Sequence, residues 1–489
     1  MNKKKSSNPL WRKEVRRFLI RRAVQNNILR QLVIHKIQKT MKRNLVEKNV
    51  GKFPRQVQLD KVDMGNALFR TIHRNIKRKL FAKDWINKFT DIHIENMETR
   101  GETVKKAKKR LGFEPPLFIT VSPEEKCNLN CTGCYADSNW KTANQLDWDT
   151  FDRILTEKRE LWGSYLTVIS GGEPFLWKDK GKTFIDMLKK HDKQFFLTYT
   201  NGTLIDKDMA KQLRELGNIT PAISVEGFEK ETDARRGKGI YKKILAAMDC
   251  LRSEGVPFGI SITAMRHNWD LVSSDEFFDF WFNRQGATYG WIFQYMPIGR
   301  NGSFEMMVTP EQRMKMLLRM WKAVREKELF LADFWNSGTT TSGCIAGGRA
   351  GGYFYITWKG EVTPCVFVPY AATNIYDIYK NGGTLDDVLL TPMFKKVREW
   401  QASYGFSLYH PKYQGCCAQN WLAPCIIRDH HEEFMKAAEE CSVKPIDLGA
   451  EGAWGSDEYH QQMIKYGKEF NAISSDLWNN FYLADEKKN

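Results

Sequence analysis

Leu117-Phe-Ile-Thr-Val-Ser122, and after it Cys127-Asn-Leu-Asn-Cys131-Thr-Gly-Cys134-Tyr135, is the stretch from which the rest of this chain is read. The β-branched and aromatic run behind Pro115-Pro116 predicts a short strand. The loop leaving it carries three thiols in the pattern C-x3-C-x2-C. Three thiolates at that spacing can wrap three corners of a [4Fe-4S] cube and leave the fourth iron without a protein ligand. An open iron is where a substrate or cofactor can coordinate, as at open catalytic metal sites. A zinc knuckle would want a fourth ligand nearby, and buried free cysteines would not gather on an Asn-rich loop after a strand.

Downstream the pattern repeats. Apolar, β-rich runs recur at Tyr165–Ser170, Phe195–Thr200, Ile219–Val225, Pro257–Ala264 and Tyr289–Met296. Helix-like segments lie between them, near Trp148–Leu161, Lys182–His191, Lys207–Leu216, Tyr241–Glu254 and Ser274–Arg284. Strands alternating with helices predict right-handed βα units around a parallel sheet, an α/β fold arranged as a partial (β/α)6 barrel. In such barrels the active site gathers on loops leaving the strand C-termini, which is where the unusual residues fall.

Composition bounds the rest. At 489 residues, 42% hydrophobic and 27% charged, the chain is globular in composition and long enough for two or three structural units. Mean hydropathy is −0.51, and no apolar run is long enough to predict a membrane span. The basic N-terminus lacks the apolar core and cleavage site of a secretory signal. Ten cysteines without such a signal predict thiolate ligands in a reducing cytoplasm. The net charge of +17 is uneven: residues 1–110 hold 31 Lys and Arg against 9 Asp and Glu, or +22, leaving −5 for the remainder. From Trp11 to Asn49 neither proline nor glycine occurs, and apolar residues recur at helical steps among many arginines and lysines. A second basic helix is expected over Gly65–Phe81. Three readings of this extension stand open: a solvated face, a surface attracted to anionic lipid, and an RNA-facing patch, which the scarcity of interleaved aromatics weakens.

Four further motifs close the strands in barrel order: Ser170-Gly171-Gly172-Glu173-Pro174, Thr200-Asn201-Gly202-Thr203, Ser224-Val225-Glu226-Gly227 with Asp233-Ala-Arg235-Arg236-Gly237, and Gln294-Tyr-Met-Pro297-Ile-Gly299-Arg300. With the cysteine loop they resemble the radical S-adenosylmethionine (radical SAM) enzymes. The resemblance implies a [4Fe-4S] cluster on Cys127, Cys131 and Cys134, with S-adenosylmethionine (SAM) on the open iron. Gly171, Gly172 and Glu173 match the family's GGE motif, which receives the SAM amino group. Ser224 matches an element near the ribose, and Arg236 the arginine that meets the SAM carboxylate. The position before the third cysteine, usually aromatic and adjacent to adenine, is Gly133 here, and Tyr135 is expected to supply part of that packing.

Farther on, Cys344, Gly360 and Cys365 stand in the spacing C-x15-G-x4-C, which resembles the SPASM or twitch extension of many radical SAM enzymes. Tyr353–Trp358, Lys359-Gly360 and Glu361–Thr363 predict a hairpin that brings the two cysteines near each other. The C-x2-C-x5-C run of the full SPASM pattern is absent. An auxiliary cluster is expected on Cys344, Cys365, Cys417 and Cys425, with Cys416 and Cys441 as competitors and a zinc site as the alternative. Cys250 is expected in the core and His430-His431 at the surface.

The resemblance implies reductive cleavage of SAM by an electron from a flavodoxin or ferredoxin, and attack of the resulting 5′-deoxyadenosyl radical on an unactivated C–H bond. A membrane lipid or isoprenoid is the favoured substrate, with peptide or RNA modification as alternatives. The expected architecture is a basic helical extension (1–115), the barrel (116–300), a linker with the SPASM-like domain (301–445) and an aromatic tail docked on the body (446–489). The location expected is cytoplasmic and peripheral to the inner face of the membrane, with nucleic acid not favoured as a partner.

Overall fold

The computed structural model describes residues 9–49, 53–405 and 419–484. Cys416 and Cys417 lie outside them. Four helices form the basic extension: α1 (Pro9–Gln25), α2 (Asn27–Leu45), α3 (Arg55–Lys77) and α4 (Lys83–Leu111). The apolar period from Trp11 onward suggested one long helix. The chain instead restarts at Asn26, whose side chain accepts from Leu29 N at 3.0 Å and caps α2. Arg21 on Asp91 ties α1 to α4, and α4 in turn packs Trp85, Ile86 and Ile92 against Phe195 of the body.

The body is built around one ten-stranded sheet. Its first six strands are β1 (Phe118–Val121), β2 (Leu166–Ile169), β3 (Phe195–Thr200), β4 (Ile219–Val225), β5 (Gly259–Ala264) and β6 (Gly290–Gln294), paired in that order and all parallel. They alternate with α5 (Trp148–Trp162), α6 (Phe184–Lys190), α7 (Lys207–Leu216), α8 (Glu229–Arg236), α9 (Ile240–Glu254) and α10 (Asp275–Phe278), which runs on as a π-helix over Asp279–Arg284. One face of these strands is apolar and packed away from solvent: Ile119, Val121, Ile169, Phe196, Ile223, Val225, Ile260 and Ile262 are all fully buried.

The sheet does not stop at residue 300. After α11 (Pro310–Glu326), β7 (Leu331–Asp333) adds to β6 in parallel. On the other edge β8 (Tyr355–Ile356) joins β1 in parallel, with Thr120 opposite Tyr355. Then β9 (Glu361–Thr363) and β10 (Thr373–Asn374) follow antiparallel. The hairpin expected at Lys359-Gly360 is thus also the strand that covers the barrel's open edge, which would otherwise present unpaired backbone groups.

Beyond α12 (Pro392–Ser403), the tail is helical: α13 (His431–Glu440), the short helix Leu448–Trp454 and α14 (Asp457–Leu477). Phe470, Trp478 and Tyr482 are buried. Arg313 of α11 donates to Asp429 at 2.5 and 3.1 Å with both side chains wholly buried, and its guanidinium lies 3.6 Å from the Phe470 ring centroid. Asp60 of α3 accepts from Thr339, Arg325 and Tyr482 at 2.6, 2.6 and 2.8 Å, joining the first and last parts of the chain. His431, expected at the surface, is buried: it pairs with His460 of α14 at 3.0 Å, and burial lowers its pKa to about 4.

Candidate active site

The cysteine loop after β1 is held from three sides. Tyr135 bonds the Ser170 hydroxyl at 2.7 Å and accepts from Gly171 N at 3.3 Å, fastening it to the loop after β2. Arg235 donates to the carbonyls of Thr132 and Gly133 at 3.1 and 3.3 Å and to Thr263 at 3.0 Å. Arg300 reaches the Cys131 and Ser138 carbonyls at 2.9 and 2.6 Å and Asp137 at 2.9 Å, while its own N–H donates to Cys134 O. A polar loop of this length has few partners of its own, and these clamps supply them.

Cys127, Cys131 and Cys134 line one cavity of about 490 Å³, together with Tyr135, Gly171, Gly172, Ser224 and Arg236. Asn201 Nδ2 lies 3.8 Å from Cys127 Sγ and Arg236 Nη1 lies 3.9 Å from Cys131 Sγ. Donors at that range favour negative charge on sulfur. Burial pushes the Cys127 thiol up to about 12, so the bare sulfur stays protonated until a metal displaces the proton. The donor set is therefore suited to an iron–sulfur cube: three thiols, two sulfur-facing donors and open cavity beside them. Among the described residues no group of His, Cys, Asp and Glu gathers as a single-ion site.

Three positions differ from the sequence reading. The glycines after β2 do not only clear room for a ligand. A Cβ at Gly172 would stand 2.2 Å from Lys126 O, so they let this loop lie against the backbone of the cysteine loop, with Glu173 N donating to Lys126 O at 2.9 Å. Glu173 itself does not line the cavity. Its carboxylate accepts from Thr200 Oγ1, Asn201 N and Phe175 N at 2.8, 2.9 and 3.3 Å, and burial nevertheless raises its pKa to about 7. At Gly133, φ is +64° and a Cβ would meet the Tyr295 ring at 2.8 Å, so Tyr295 occupies the space an aromatic at 133 would claim.

Arg236 shares Glu226 Oε1 with Arg235 at 2.5 to 2.8 Å; burial works against its charge, and the Glu226 carboxylate together with the Cys131 and Cys134 sulfurs holds Arg236 firmly charged. Sequence reasoning quoted Glu226, Arg235, Asn201, Tyr295 and Arg300 but gave them no role. Their proximity to the thiols exists only once the strand ends converge. One stretch of the cavity wall is aromatic: Tyr199, Trp291, Phe293, Phe334, Tyr353 and Phe367.

Behind that wall lies the second thiol group. Cys344, Cys365 and Cys425 act electrostatically on one another, and burial raises Cys365 to about 12 and holds Cys425 well above its ordinary value. Tyr353 OH lies 3.0 Å from Cys365 Sγ, and Ile345, Val366 and Phe367, next to these cysteines in sequence, line the cavity. Cys441 is not with them; the charges acting on it come from Lys396, Glu440 and Glu399. Cys250 packs against the core's edge.

Residues 121–277 match the family model of the radical SAM superfamily. The chain is 25% identical over 345 residues to the AdoMet-dependent heme synthase of Methanosarcina barkeri, covering 63% of this chain and 93% of that one. It is 26% identical over 261 residues to the sporulation killing factor maturation protein SkfB of Bacillus subtilis, covering 51% of this chain and 60%, under two thirds, of that one. Among solved structures, native anSMEcpe with bound AdoMet and the Cp18Cys peptide overlays with a TM-score of 0.49 at 18% identity, over 75% of this chain and 99% of that chain.

Proposed function

We propose that this chain, whose residues 121–277 match the radical SAM superfamily model, is a radical SAM iron–sulfur enzyme that functionalises an unactivated C–H bond of an apolar substrate, a membrane lipid or isoprenoid, held against the aromatic wall of the cavity. The [4Fe-4S] cluster and SAM, when bound, supply the electron entry and the 5′-deoxyadenosyl radical that takes the hydrogen atom.

In this reading Cys127, Cys131 and Cys134 hold the cluster. Asn201 and Arg236 stabilise the negative sulfurs, and Arg236, beside the thiols and fixed by Glu226, meets the SAM carboxylate. Gly171 and Gly172 bring the loop backbone to the amino group, with Ser224 toward the ribose. Glu173 acts indirectly, by holding Asn201 and Thr200 in place. Tyr295 takes the packing role that the family gives to the position of Gly133. Cys344, Cys365 and Cys425, with a fourth thiol from Cys416 or Cys417, would hold an auxiliary cluster. The electron donor is a flavodoxin or ferredoxin, and the setting is a reducing cytoplasm.

The observation that supports the apolar substrate is the cavity lining itself, to which six aromatic rings contribute. A second reading, peptide or tetrapyrrole modification, is favoured by the names of the similar proteins. One experiment separates them. The anaerobically reconstituted protein is given dithionite and SAM with perdeuterated polar lipid, with peptide, or with porphyrin. Deuterium in 5′-deoxyadenosine from the lipid supports the proposal; 5′-deoxyadenosine formation stimulated only by peptide or porphyrin rejects it.

A further inference from the structure

Helix α2 carries apolar residues on two opposite sides. One side, with Ile34 buried and Ile37 and Met41 half-buried, turns inward where α2 packs on α3. The other, Ile28, Leu29, Leu32 and Val33 at helical spacing, stands in solvent, with Ile28 68% and Leu32 61% exposed. From Leu32 the same line continues through Lys36, Lys39 and Arg43, all exposed. On α1, Phe18, Leu19 and Arg22 are exposed as well. Glu47 is the only acidic residue from 17 to 49. Among the described residues no ion pair takes up Arg22, Lys36, Lys39, Lys42 or Arg43.

We propose that this face docks the enzyme on an anionic lipid surface, with the aliphatic stripe entering the acyl boundary and the cations above it meeting headgroup phosphates. Three features choose this occupant. A merely solvated helix has no use for four large aliphatic side chains in water. The charge is almost wholly of one sign, so the partner is anionic, and lysine and arginine stems can lie along an apolar layer while their heads stay wet. The exposed apolar groups of α2 are aliphatic, which suits hydrocarbon better than the stacking of bases. The docking is independent of which C–H bond is attacked.

The test is flotation of the full reconstituted enzyme with phosphatidylcholine vesicles, with or without phosphatidylglycerol, at low and high salt. The enzyme should float with the anionic vesicles and detach as salt rises. Ile28→Glu with Leu32→Glu, and separately Lys36→Glu with Lys39→Glu and Arg43→Glu, should each lower partitioning about tenfold or more. SAM cleavage in vesicle-free buffer reads the barrel alone and should be unchanged in both variants, so failure of docking is distinguishable from failure of the substrate reading. Absence of flotation, equal flotation with neutral vesicles, or flotation undiminished in the variants overturns the proposal. RNA retention lost in the same variants, without vesicle binding, overturns it in favour of nucleic acid.

Discussion

At the scale of single residues the site depends on atoms with no substitute. Replacing Cys127, Cys131 and Cys134 together by Ala should remove about four irons per chain and abolish SAM cleavage, read by iron and sulfide analysis and by 5′-deoxyadenosine. Gly172→Ala tests packing: with Lys126 O only 2.2 Å from the new Cβ, the two loops must part, and both iron content and melting temperature should fall. Glu173 predicts a pH dependence. Burial raises its pKa from the ordinary 4.5 to about 7, so the folded chain favours the neutral acid. Its contribution to stability is complete below pH 4.5 and is lost as pH rises through about 7. That loss should be on the order of 3 kcal/mol. Denaturation midpoints across this range should show the slope in the native protein and not in Glu173→Gln, whatever that variant's absolute stability. A slope retained in the variant assigns the effect to another group.

At the scale of elements, short parallel strands place loops, and the loops place the chemistry. The cysteine loop after β1 meets the loops after β2, β4 and β6, and Arg300 from the last of these bonds two of its carbonyls and Asp137. Arg300→Ala should leave helix and strand content intact by circular dichroism while loosening the thiols. A displacement of about 1 Å in the reacting geometry costs about a hundredfold in rate, and a comparable fall in SAM cleavage is expected. The six strands and most barrel helices were legible from apolar runs and turn residues, because period and punctuation are local. The break at Asn26 was hidden: a polar residue among polar residues gives no signal until its side chain folds back onto Leu29 N.

At the scale of the molecule, the chain is closed on itself by buried charge. Arg313 and Asp429 join α11 to the segment before α13, and Asp429 also accepts from Cys425 N at 3.0 Å. Removing one partner strands the other, so Arg313→Ala should cost about 3–5 kcal/mol, measured by denaturation. Arg313→Met with Asp429→Leu should recover part of that loss, while the withdrawn support should still disturb the second thiol group. The sheet likewise crosses the expected division at residue 300, since both barrel edges need strands and β7 and β8, from beyond it, provide them.

What the sequence determined alone was the alternation of strand and helix, the basic extension, and the thiols of the loop after β1, because period, charge and spacing are properties of neighbours in the chain. Only the tertiary structure decided that Glu173 turns from the cavity, that Tyr295 stands where Gly133 leaves room, that the charges about Cys441 are those of Lys396, Glu440 and Glu399, and that one apolar stripe of α2 is left in solvent. Each of these depends on which distant segment arrives at a given side chain, and contact across hundreds of residues leaves no mark on the local pattern.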